Sequence, residues 1–116
     1  MPSQPVQLTE TNSGTLNGSG DVTVKLGPIG GSEVWTPGNV SVICSTNVLE
    51  ANCKVYVGPS ATPQYFVDLT VDGSTGDSTD KCNVPIPYGS YVWAVWTGGD
   101  AGATATLNVY GTEMTN

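Results

Sequence analysis

The run Asp72-Gly73-Ser74-Thr75-Gly76-Asp77-Ser78-Thr79-Asp80 holds the residues whose types and spacing come closest to chemistry. Three carboxylates interleaved with hydroxyls and backbone carbonyls could supply the roughly six to eight oxygens that Ca²⁺ takes. The spacing argues otherwise. It has no oxygen ligand at every second position and no closing Glu, and Asp, Gly, Ser and Thr are also what turn geometry selects. The segment therefore reads as a solvated turn in preference to a calcium loop, and no cofactor is expected. A carboxylate pair can hydrolyse glycosides when one acid has a raised pKa. Here every Asp and Glu lies in or beside a turn rich in Gly, Ser and Thr, and nothing marks one as buried. The chain has three Lys, no Arg and no His. Without His it lacks the imidazole base of a Ser–His or Cys–His pair and the imidazole metal ligand; without Arg it lacks the bidentate fork for phosphate. No catalytic, cofactor-binding or metal-binding residues are expected, and the chain does not read as an enzyme.

The cysteines are Cys44, Cys53 and Cys82. An odd number, with no C-x-x-C pair, suits neither a disulfide framework nor a zinc site. Cys44 and Cys53 end and begin successive strand-like runs and could face each other across a hairpin; as small buried apolar residues they need no bond. The net charge of −7 excludes a phosphate-neutralising surface, so nucleic acid is not an expected partner. No run of 18 apolar residues offers a membrane-spanning helix. Met1-Pro2-Ser3-Gln4-Pro5 has no basic or apolar signal region, which leads to an expectation of cytoplasmic synthesis.

The elements that must position these side chains are short strands. Residues 1–20 are polar, end in Asn17-Gly18-Ser19-Gly20, and read as an extended N-terminal arm ahead of a domain at 21–116. Val22, Val24 and Leu26 alternate with Thr23 and Lys25. Val34-Trp35 begins a short strand that Pro37-Gly38 should stop. Val40 to Cys44 and Cys53 to Val57 alternate, joined by a loop from Ser45 to Asn52. Tyr65 to Thr70 follows, then a weaker run from Ser78 to Val84 before the turn at Pro85, Pro87 and Gly89. Tyr91 to Trp96 is β-branched and aromatic on both faces, which predicts a central strand covered on each side. Trp93 and Trp96, three apart, point to opposite faces, while Tyr91 and Trp93 share one. Ala103, Ala105, Leu107 and Val109 alternate with Thr104, Thr106, Asn108 and Tyr110. About eight short strands with frequent turns predict an all-β fold, an antiparallel β-sandwich of jelly-roll or immunoglobulin-like type.

Four motifs carry a resemblance: Val34-Trp35-Thr36-Pro37, Val55-Tyr56-Val57-Gly58-Pro59, Asp72 to Ser78, and Val92-Trp93-Ala94-Val95-Trp96-Thr97-Gly98-Gly99 running on through Asp100 to Ala105. In this order, across roughly residues 32–112, the chain resembles small virion proteins of tailed bacteriophages, especially those infecting actinobacteria. The resemblance implies a non-enzymatic capsid decoration protein on the outside of the head. Its implied partners are the major capsid protein and copies of itself, as a homotrimer or through lattice contacts. The alternative is a tail-associated structural part or a receptor- or carbohydrate-binding module. The expected contact residues are Gln4, Pro5, Val6 and Leu8 of the arm, with Trp35, Tyr91, Trp93 and Trp96. Deleting residues 1–20 would, on this reading, leave the sandwich folded. The turn reading of Asp72–Asp80 predicts an unchanged melting temperature on adding a chelator; a fall on chelation would establish the calcium site instead.

Overall fold

A computed structural model of the chain describes residues 6–29, 31–45, 51–70 and 85–115. The described residues form eight strands: β1 (Val6–Thr15), β2 (Val22–Leu26), β3 (Glu33–Cys44), β4 (Asn52–Gly58), β5 (Phe66–Thr70), β6 (Ile86–Pro87), β7 (Tyr91–Thr97) and β8 (Thr104–Thr115). A single 3₁₀ turn at Pro63–Tyr65 precedes β5. Two four-stranded antiparallel sheets pack face to face, with orders β1-β8-β3-β6 and β2-β7-β4-β5. The predicted all-β sandwich is therefore the observed architecture. Its strand order is that of an eight-stranded jelly roll, which decides between the two sandwich types left open by the sequence.

The core lies between the sheets. Ala105, Leu107 and Val109 of β8 and Val40, Val42 and Cys44 of β3 face Val24, Val55, Val92, Ala94 and Trp96 of the second sheet, and all are buried. Each strand alternates because one face meets this core and the other does not.

Three sequence expectations change. The first concerns the arm. Val6–Thr15 is a ten-residue strand paired with β8 from Val6↔Glu113 to Thr15↔Thr104. Leu8 and, just beyond the strand, Leu16 are buried in the core. The polar composition misled because an edge strand needs few apolar side chains. Of its inward positions, Asn12 and Gly14 lie along the seam with β2. A Cβ on Gly14 would press on Val22 and Val24. Asn12 closes that seam: its Nδ2 donates to the Lys25 carbonyl at 3.1 Å, and its Oδ1 accepts from the Ser13 N–H at 2.9 Å. One side chain thus occupies polar backbone groups on both edge strands, the usual liability of open edges.

The second change is at Pro37-Gly38, which bends β3 without ending it. The register against β8 shifts between Pro37 and Asn39. Trp35 and Pro37 face inward at odd positions, Val40, Val42 and Cys44 at even ones. Only an extra residue, a β-bulge at Gly38, keeps both sets on the core face. Gly111 of β8 stands opposite, and a Cβ there would overlap the Thr36 carbonyl and crowd Gly38 and Pro37.

The third is the hairpin. β3 and β4 lie in different sheets, so the chain crosses the sandwich between Cys44 and Asn52, and the two buried cysteines are not partners on adjacent strands. The runs at Asp72–Asp80 and Ser78–Val84, with Cys82, Gln4 and Pro5, lie outside the described residues.

The position of β1 reverses the deletion expectation. Removing residues 1–20 strips one edge of β8 and takes Leu8 and Leu16 from the core, at about 1.5–3 kcal/mol each. Against a total stability of about 5–15 kcal/mol, the truncated chain should melt much lower or fail to fold. An unchanged circular-dichroism melt would refute the integral role of β1.

Candidate functional site

The outward face of the second sheet gathers most of the aromatic side chains. The chain has three Trp, five Tyr and one Phe. Trp96 and Trp35 are buried; Tyr91, Trp93, Tyr56, Phe66 and Tyr65 lie on this one face. The register shows how. Lys25 of β2 pairs with Trp93 of β7, Trp93 with Tyr56 of β4, and Tyr56 with Phe66 of β5. One cross-strand row therefore reads Lys25–Trp93–Tyr56–Phe66 over all four strands. The next row reads Thr23–Val95–Lys54–Leu69. Cross-strand neighbours of this kind are the unit of sheet stabilisation, and aromatic pairs gain most.

The rings are held in place. Tyr91 and Trp93 meet edge to face, centroids 5.5 Å apart at 75°, and Tyr56 and Phe66 do the same at 5.9 Å and 76°. Lys25 Nζ sits 4.3 Å from the Tyr91 ring centre and 5.0 Å from that of Trp93. The cation is attracted by both ring faces, which is worth about 0.5–1 kcal/mol at an exposed site. Trp93 Nε1 donates to the Gly58 carbonyl at 2.9 Å. Gly58 is needed there, since a Cβ would lie 2.6 Å from the Tyr65 ring, which folds over it from the 3₁₀ turn.

Beside these rings, Lys54, Tyr56, Pro63 and Phe66 line an open groove of about 320 Å³. Phe66 and Leu69 remain 48% and 47% exposed. Both described lysines, Lys25 and Lys54, are on this face, and no Asp or Glu occupies its outward strand positions. In a chain of net charge −7 this is a local reversal of sign. The outward face of the first sheet is different in kind. Thr11 Oγ1 donates to Asn108 Oδ1 at 2.7 Å, and Asn108 Nδ2 donates to Ser41 Oγ at 3.3 Å, a polar ladder of hydroxyls and amides.

The expected contact residues separate accordingly. Tyr91 and Trp93 share the outward face of β7, as their spacing predicts, and Val6 is exposed at the start of β1. Leu8, Trp35 and Trp96 face inward on their strands and are buried in the core. The outer face of β7, expected to be covered like the inner one, carries half-buried Tyr91, Trp93 and Val95, with Lys25 over the two rings. Lys25, Lys54, Tyr56, Tyr65, Phe66 and Leu69 complete the face and were not singled out from sequence. The alternation Cys53–Val57 does place Lys54 and Tyr56 off the core side, but only the register brings them beside Trp93.

Among the described residues, no three His, Cys, Asp or Glu side chains come together to hold a metal ion. No protein-family model, curated protein or solved structure matches the chain.

Trp93→Phe keeps an aromatic ring, smaller than the indole, and removes the hydrogen bond to Gly58. It should lower stability by about 1 kcal/mol in urea unfolding, with an unchanged slope. No loss would show that the bond does not hold the aromatic face.

Proposed function

We propose that the chain is a non-enzymatic structural module that attaches to an ordered protein surface through the outer face of its second sheet. The kind of protein we favour is the capsid decoration protein of a tailed bacteriophage, as the motif resemblance implies. The observation that carries the reading is the row Lys25–Trp93–Tyr56–Phe66, flanked by exposed Leu69. Aromatic anchors on rigid strands, already partly desolvated, lose little conformational freedom on contact and dominate protein–protein hot spots. An eight-stranded jelly roll is used by both capsid and lectin domains, so the fold alone does not choose between the readings.

The groove favours a second reading, a tail-associated carbohydrate-binding module. Its size and its aromatic lining would accept a sugar ring, with Lys54 reaching a polar substituent. Ring geometry weighs against it. Neighbouring rings stand at 75° and 76°, so they form corners and not the flat platform along which a sugar chain stacks.

Phe66→Ser with Leu69→Ser removes two half-exposed side chains, one of them paired edge to face with Tyr56, so each should cost about 1 kcal/mol of stability. Attachment to purified shells should fall roughly tenfold or more. Unchanged attachment by the folded double variant would overturn the reading. Loss of binding to titrated N-acetylhexosamines, with shell attachment unchanged, would establish the carbohydrate alternative.

A further inference from the structure

At the end of the sandwich where β1 begins and β8 finishes, the first sheet outruns the second. β2 stops at Leu26, paired with Val92, whereas β8 continues to Thr115 alongside Glu33 of β3. The inward positions of three adjacent strands are therefore left without a facing sheet. These positions are Glu10 of β1, Glu113 of β8 and Glu33 of β3, with Trp35 among them and directly opposite Glu113. Together with Leu26, Gly27 and Ile29 they line a cleft of about 230 Å³.

Two features are unusual for the mouth of a sandwich. Three acidic side chains point to the inner side, and no described lining residue is a cation. Independently, Trp35 is 96% buried by its 4% exposure, yet its indole Nε1–H has no hydrogen-bond partner among the described residues. Such buried N–H groups nearly always find an acceptor, and each that does not is destabilising. The apolar wall is also exposed: Ile29 is 88% accessible.

We infer that this cleft is a binding site for a Lys or Arg side chain presented by a partner protein. The chemistry is complementary on each count. A long aliphatic stem covers Leu26 and Ile29 while its charged head stays among the carboxylates. A carbonyl beside that side chain supplies an acceptor for Trp35 Nε1–H once the cleft widens to admit it, since that atom is buried in the free chain. The net charge of −7 attracts a basic segment at long range, so encounter is fast and weakens with salt. This surface is distinct from the aromatic face of the second sheet and does not depend on the reading given to that face.

The test uses the ¹⁵N-labelled full chain and the indole N–H resonances of its three Trp, with Trp35 assigned through Trp35→Phe. The probes are the capped peptides Gly-Arg-Gly, Gly-Lys-Gly and Gly-norleucine-Gly. The basic peptides should move the Trp35 resonance saturably, with a dissociation constant on the order of 1 mM. Norleucine should not. Glu33→Gln with Glu113→Gln should weaken the basic peptides roughly threefold to tenfold. An unmoved Trp35 resonance, an equal response to norleucine, or indifference to the double variant would overturn the inference. So would a Trp35 shift on concentrating the protein alone, which would give the cleft to a lysine of a second copy.

Discussion

Strand β8 hydrogen-bonds to β1 along one edge and to β3 along the other for nearly its whole length, and the rest of the molecule depends on that double pairing. With both edges occupied, its inward residues Ala105, Leu107 and Val109 can be fully apolar, and they form the floor on which the second sheet packs. The same pairing holds β1, whose own composition is too polar to bury, and it imposes the register that β3 meets only by bulging at Gly38. β7 plays the matching part in the second sheet, between β2 and β4. Its inward Val92, Ala94 and Trp96 close the core, and its outward Tyr91 and Trp93 organise the aromatic face.

The two candidate surfaces arise from this geometry in opposite ways. The aromatic face exists because the second sheet is complete over four strands, which lets one cross-strand row collect a cation and three rings. The acidic cleft exists because the second sheet is short, so that inward positions on the longer first sheet have nothing opposite them. Charge follows the same division. Lys25 stands over the Tyr91 and Trp93 rings, where the ring quadrupoles favour it, and three of the carboxylates line the cleft at the open end. A chain with little charge overall thereby presents two chemically different surfaces.

The proposed roles use these differences. A rigid face of half-buried aromatics suits attachment to a surface that is itself ordered, since neither side must be folded by the encounter. A carboxylate-lined mouth, with an indole N–H that no described residue accepts from, suits a single protruding basic side chain. The edge device at Asn12 belongs to the same economy: a protein with a sticky face benefits from edges that do not add strands at random.

The sequence by itself determined the all-β class, most strand positions, the centrality of Tyr91–Trp96 and the absence of imidazole and guanidinium chemistry. These rest on local alternation and residue type, which need no knowledge of neighbours. Tertiary structure alone decided that Val6–Thr15 belongs to the sandwich, because an edge strand is recruited by its partner's backbone and not by its own hydrophobicity. It also decided that Trp35 is core, that Cys44 and Cys53 lie on different sheets, and that Lys25 stands over Trp93 rather than in solvent. Those outcomes depend on pairing between residues as far apart as Val6 and Glu113. Residue spacing along the chain carries the period of a strand but not the identity of the strand beside it.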